Sequence, residues 1–145
     1  MSRKLFHEEW AIVATIDPID ANNADSSTDV IDMSKWEEVA FIVMLGVINA
    51  SATFDFLVEE STTSGGSYTT ISGKSITQLT GAGSDGAKQA IVVVKAEELS
   101  AGYRYIRGTM ANSANSQLAA VLALGRARYQ PASDDDLSSV DEIVT

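Results

Sequence analysis

The chain has no cysteine, one histidine and two prolines among its 145 residues. Without cysteine there are no disulfides, no thiolate metal ligands and no sulfur nucleophiles. With His7 as the sole histidine, Ser-His-Asp and Cys-His nucleophile systems lack their raw material. Basic residues are also scarce: ten Lys and Arg stand against twenty Asp and Glu, a formal net charge of −10. Binding to nucleic acid needs a basic face that displaces counterions from phosphates, so this balance argues against such a partner. It suits solubility, or attraction to a basic protein surface. No stretch approaches the roughly 18 apolar residues that span a bilayer. The start, MSRKLFHEEW, places acids where a signal peptide carries its apolar run. These absences lead us to expect a soluble, cytosolically made protein with no membrane partner, no cofactor, no metal and no catalytic residues.

What is present is mostly period two. A hydrophobic share of 45% and a charged share of 21% are ordinary for a globular protein, and the length suits about one domain. Trp10, Ile12, Ala14 and Ile16 alternate with Glu9, Ala11, Val13 and Thr15 until Asp17-Pro18 stops the run. Residues 20–29, DANNADSSTD, read as a loop or extended linker. Val30 to Met33 suits a short strand and Ser34 to Glu37 a turn.

Residues 38–48, EVAFIVMLGVI, are apolar on both faces: Val39, Phe41, Val43 and Leu45 form one row, Ala40, Ile42 and Met44 the other. Such a strand is either central and covered on both sides, or turns one face to another subunit. After Asn49-Ala50-Ser51, the alternating Phe54, Phe56 and Val58 predict a half-buried strand, paired with the preceding run as a hairpin. Further strands are expected at Tyr68–Ile71, Lys88–Lys95, Tyr103–Met110 and Gln117–Leu124, the last two joined by a hairpin loop at Asn112–Ser116. Ala96–Leu99 suits a tight or single helical turn. The pattern predicts an all-β fold: an antiparallel β-sandwich or jelly-roll-like barrel of about eight short strands with extended N- and C-terminal arms. The division expected is an N-terminal strand and linker or arm over residues 1–30, a sandwich body over 31–128 and an acidic C-terminal arm over 129–145.

That last arm is the most distinctive stretch. It reads YQPASDDDLSSVDEIVT, and Leu137, Val140, Ile143 and Val144 recur at intervals of three and four, which is helical spacing. A free solvated tail gains nothing from such a stripe, whereas an arm that orders on contact with a neighbour does.

Apparent chemical motifs carry little weight. His7 beside Glu8 and Glu9 is read as a surface residue, since adjacent positions rarely converge on one ligand. GAGSDG at 81–86 matches a dinucleotide-loop spacing, but a β-rich run follows it where that site needs a helix. Asp134, Asp135 and Asp136 lack the alternate spacing of a calcium loop and suit a helix N-terminus instead. Arg104, Arg107, Arg126 and Arg128 interleave with Tyr103, Tyr105 and Tyr129, residue types enriched where proteins meet. Trp36, set in a turn between charges, is expected to be an interface anchor. The expected partner-binding set is Trp36, Phe41, Val43, Leu45, Arg126, Arg128, Tyr129, Leu137, Val140, Ile143 and Val144.

From Thr28 onward, TDVIDMSKWEEVAFIVMLG, GKSITQLTGAG, KAEELSAGYRYIRGTM and AVLALGRARYQPASDDDL resemble a loose group of small tailed-bacteriophage virion proteins. The resemblance implies a β-structured decoration or cement protein on the outer head surface, bound to the major capsid protein and made in the host bacterial cytoplasm. It carries no catalytic residues and leaves residues 1–27 uncovered. Many copies would bind a symmetric shell, most simply as homodimers or homotrimers. A head–tail connector, neck or tail protein would show the same features. A carbohydrate-binding or adhesive β module would use Trp36, Tyr68 and Tyr103 as platforms, but leaves the tail's apolar stripe without a role.

Overall fold

The computed structural model describes residues 5–22, 24–112, 115–129 and 136–144. Within them the alternating runs form ten strands in two antiparallel sheets packed as a sandwich. The four-stranded sheet has the order β1 (Trp10–Asp20), β10 (Gln117–Ala127), β4 (Trp36–Ile48), β8 (Gln89–Lys95). The second sheet centres on β9 (Tyr105–Asn112) and β5 (Thr53–Ser61). The short β2 (Ser26–Ser27) and β3 (Ile31–Asp32) line the outer edge of β9. Along β5 run β6 (Thr69–Ser75) and β7 (Leu79–Thr80). A four-residue helix, α1 (Phe6–Glu9), precedes β1, and 3-10 turns cover Ala96–Glu98 and Leu137–Ser139.

The core lies between the sheets. Val39, Phe41, Val43 and Leu45 of β4 join Phe54, Phe56 and Val58 of β5 and Ile106 and Met110 of β9 in one buried cluster. Phe41 and Phe56 meet across the gap with centroids 5.8 Å apart and planes tilted by 51°. Trp36 lies over Gly125, where a Cβ would stand 2.7 Å from its ring.

Two expected hairpins are corrected. β4 and β5 are consecutive but belong to different sheets, and so do β9 and β10. β4 is flanked by β10 and β8, so β5 has no edge of it to pair with. The Asn49–Ala52 corner carries the chain across the sandwich. The Ala52 N–H donates to the Asn49 carbonyl at 2.8 Å, and the Ser51 N–H to Asn49 Oδ1 at 3.0 Å. Gly81 seats against this corner, where a Cβ would fall 1.8 Å from the Asn49 oxygen. Short polar loops suit both a hairpin and a crossing of the roughly 10 Å between sheets, so their composition does not separate the two. Ser113 and Ala114 of the second crossing lie outside the described residues.

The strand expected within residues 1–30 belongs to the sandwich. β1 pairs along its length with β10, so the body begins at Trp10. Residues 21–22 and 24–30 lead from this edge to the other sheet. Ala21 and Gln117 bond to each other, and the Thr28 N–H donates to the Gly108 carbonyl at 2.9 Å. β1 departs from simple alternation through a register shift between Ile12 and Ala14. The bulge reverses parity, so Ala11, Val13, Ala14 and Ile16 are buried while Trp10 and Ile12 sit in the outer row.

Asp32 of β3 holds the turn before β9. It accepts from Arg104 Nε at 2.7 Å and Nη2 at 2.6 Å. This two-pronged bond to Arg104 moves its carboxyl from an ordinary 3.8 to about 2. The folded pKa is depressed, so the pair's contribution is complete above about pH 4 and fades as pH falls toward 2. Asp32→Asn should cost about 1 kcal/mol at pH 7, a value held down by exposure of the arginine. Denaturant melts at pH 7 and pH 2.5 should show the gap between variant and parent closing at the lower pH.

Candidate interaction surface

The two outer faces of the sandwich differ. On the β5–β9 sheet the outward residues are mostly polar, and several satisfy one another. Arg107 Nε donates to Glu59 Oε2 at 2.9 Å, Thr109 Oγ1 donates to the same oxygen, and the Arg107 guanidinium lies 4.3 Å from the Tyr68 ring centroid. This is the ordinary one-sided antiparallel sheet, wet outside and apolar within.

The outer face of the β1–β10–β4–β8 sheet is apolar. Its rows follow from the register. Ile12, Leu124, Ala40 and Val93 lie side by side across the four strands. The next row holds Thr15, Leu122, Ile42 and Ile91. Ala120, Met44 and Gln89 follow, and Leu118 with Gly46 continues the surface toward the end of the sheet. Ile91 is 67% exposed, Leu118 48%, Met44 41% and Val93 40%. A shallow depression of about 280 Å³ lies where Met44 and Leu118 meet Pro18 and Ile19.

At the opposite end the face closes with charge. Arg126 reaches Glu37 at 3.2 Å and Glu38 at 3.4 Å, and Arg128 Nη2 donates to the Trp36 carbonyl at 3.4 Å. With Lys95 and Glu97 these groups line a cleft of about 310 Å³. Acids and bases alternate there and neutralise one another, so the cleft presents no net charge to an ion.

The C-terminal segment returns to the β1 edge. The Asp136 N–H donates to the Ile12 carbonyl at 2.7 Å. Val140 and Ile143 then line an apolar cavity of about 160 Å³ with Phe6, Trp10 and Ile12. The Asp136 carboxylate accepts from Ser138 Oγ at 2.8 Å and Ser139 Oγ at 2.6 Å, bonds to side chains rather than to the backbone N–H groups that a cap would satisfy. Asp134 and Asp135 lie outside the described residues. Ile143 and Val144 keep large exposed surfaces, as does Phe6 beside them.

The expected partner-binding residues therefore separate. Trp36, Phe41, Val43 and Leu45 are buried in the protomer's own core, which corrects their assignment as contact residues. The structure buries this row of β4: a register shift between Arg126 and Ala127 turns Trp36 inward, and Val39, Phe41, Val43 and Leu45 point into the sandwich. Ala40, Ile42 and Met44 are the outward row. Arg126 and Arg128 hold local partners, and Tyr129 is exposed. Val140 and Ile143 dock on their own chain's β1 edge, Val144 is exposed, and Leu137 opens a 3-10 turn whose first side chain lies outside the described part. Sequence reading missed Ile91, Val93, Leu118, Leu122 and Leu124 as surface. A signal existed: Glu38 and the small Ala40 share a row with Ile42 and Met44, and a charged residue marks the outward side.

Among the described residues, no three His, Cys, Asp or Glu side chains gather into a group able to hold a metal. His7 lies in α1 at the rim of the terminal cavity. GAGSDG forms a turn-rich loop between β7 and β8, and the strand after it departs from the helix a phosphate loop requires. No helix of the described chain is long and apolar enough to cross a membrane. Compared with known proteins, the chain matches no family model, no curated protein and no solved structure.

Proposed function

We propose that this chain is a structural virion protein of a tailed bacteriophage, a decoration protein that binds the major capsid protein and stabilises the head. The observation that carries the assembly part of this reading is the apolar outer face of the four-stranded sheet, set beside a terminal clasp with exposed Phe6, Ile143 and Val144. Apolar surface this extensive on a monomer marks a contact site. The virion assignment rests on the sequence resemblance from Thr28 onward. The sugar-platform alternative is weakened by geometry, because Trp36 is buried and the Tyr68 ring is covered by Arg107.

The terminal clasp is the segment best placed to grip a lattice. It sits at an edge, combines an apolar tip with acids, and is tied to β1 at the Ile12 carbonyl through Asp136. Many such weak grips repeated over a symmetric shell give strong retention. Removing residues 131–145 should leave the sandwich folded, with its strand circular dichroism intact and a melting point lower by about 3 °C, equivalent to roughly 1 kcal/mol. Retention on heads should fall at least tenfold in co-sedimentation. Loss of the folded body would place the tail in the core and overturn the clasp. Cryo-EM of the phage particle tests the function itself: regular copies over the head support it, density confined to neck or tail replaces it with the connector reading, and absence from the particle refutes both.

A further inference from the structure

We infer that two copies of this chain stack back to back through the apolar outer faces of their four-stranded sheets. This deepens the assembly reading by naming what covers the face, and it stands on four features of the molecule.

Each edge of this sheet is obstructed at one carbonyl while its face is open. On β8, Lys74 Nζ donates to the Val93 carbonyl at 2.7 Å and pairs with Glu98 at 2.7 Å, which puts a lysine across the strand edge. On β1, the C-terminal segment takes the Ile12 carbonyl. A lysine and a covering segment are the devices that stop strand-to-strand addition. Association by this sheet is thereby directed to the face.

The face has the chemistry of a sheet packed on a sheet. Its central rows, Leu124 with Val93 and Leu122 with Ile42 and Ile91, carry no charge, as in the inner layer of a sandwich. A partner must offer an equally uncharged, flat, twisted apolar surface, and this chain owns one. The net charge of −10 lies outside these rows. It opposes indiscriminate clustering while the face-to-face contact excludes it.

The size also suits a dimer. Four strands at about 4.8 Å spacing and four rows at about 6.7 Å give roughly 500 Å² of flat area per copy. Two copies bury about 1,000 Å² before side-chain relief is added, the least that a specific interface should clear.

The chain is free of cysteine, so single cysteines report proximity cleanly. Sedimentation equilibrium of the full chain at about 50 μM should give the dimer mass. Ile91→Lys should weaken dimerisation about 100-fold or more, as expected for an unpaired charge pressed into an apolar contact. Its melting point at low concentration should stay near that of the parent, because Ile91 is already exposed in the protomer. Ile42→Cys should be cross-linked to a covalent dimer by a short bis-maleimide, and Ser72→Cys on β6 should not. A monomeric parent chain overturns the inference, as does an Ile91→Lys chain that dimerises undiminished. A monomer whose Ile91→Lys variant loses head binding assigns the face to the shell instead and also overturns it. A dimer that never binds heads leaves the stacking intact and fails the decoration reading alone.

Discussion

Trp36→Ala should cost about 3–5 kcal/mol of folding stability, the range for emptying a large aromatic from a core. Trp36 is 1% exposed and belongs to the single buried cluster. Its ring fills the space above Gly125, whose missing side chain is the other half of the fit. The corresponding fall in melting point is on the order of 10 °C for a domain of this size. The test separates two roles for the same residue. An interface anchor would lose binding and keep its melting point. A core tryptophan loses stability in the isolated chain, at any concentration, before any partner is added. Trp36→Phe should recover more than half of the loss, since it restores most of the buried ring.

This residue also shows where sequence reading stops. Neighbouring Lys35 and Glu37 made a surface turn the natural expectation, and nothing in the local pattern announces the register shift between Arg126 and Ala127 that turns Trp36 inward. Bulges are set by the partner strand, so a period-two pattern carries no mark of them. β1 repeats the lesson at Ile12 and Ala14. The class of fold was legible, because alternation depends only on the strand's own residues. The strand pairing was not, because a short polar loop serves a hairpin and a crossing alike. The two-sided character of β4 was legible as well. Which of its rows faces outward is marked in the sequence by Glu38 alone, whereas the pairing of Trp36 with Gly125, far apart in the chain, exists only in the folded sandwich.

The tail illustrates a different limit. The spacing of Leu137, Val140, Ile143 and Val144 is helical but leaves the arm open between helix and extended chain, and the structure contains a 3-10 turn at Leu137–Ser139 followed by irregular chain. Helical periodicity over so few residues is weak, since a helix this short is not stable without tertiary support. The apolar positions still have a use. Val140 and Ile143 settle against Phe6, Trp10 and Ile12 of the same chain, where the sequence reading expected a neighbour.

Gly108→Val should cost about 3 kcal/mol, the upper part of the range for overpacking a filled core. A Cβ at Gly108 would stand 2.5 Å from Phe56 Cζ, 2.9 Å from its Cε2 and 3.1 Å from Phe41 Cδ1. The backbone has little freedom to withdraw. Gly108 N–H donates to Thr28 Oγ1 at 3.0 Å, and its carbonyl accepts from the Thr28 N–H at 2.9 Å. On its other side β9 is held by β5, with Gly108 opposite Val58. The strain must therefore pass into the Phe41–Phe56 contact, whose two rings join the sheets. Phe56→Ala by itself should also cost about 3–5 kcal/mol, through the cavity it leaves. In the double variant the added methyls occupy part of that cavity, so the combined loss should fall at least 1 kcal/mol short of the sum. Denaturant melts of the two single variants and the double measure this coupling. Strict additivity would show that the glycine is not required by the ring, and that the two sheets have room to part at β9.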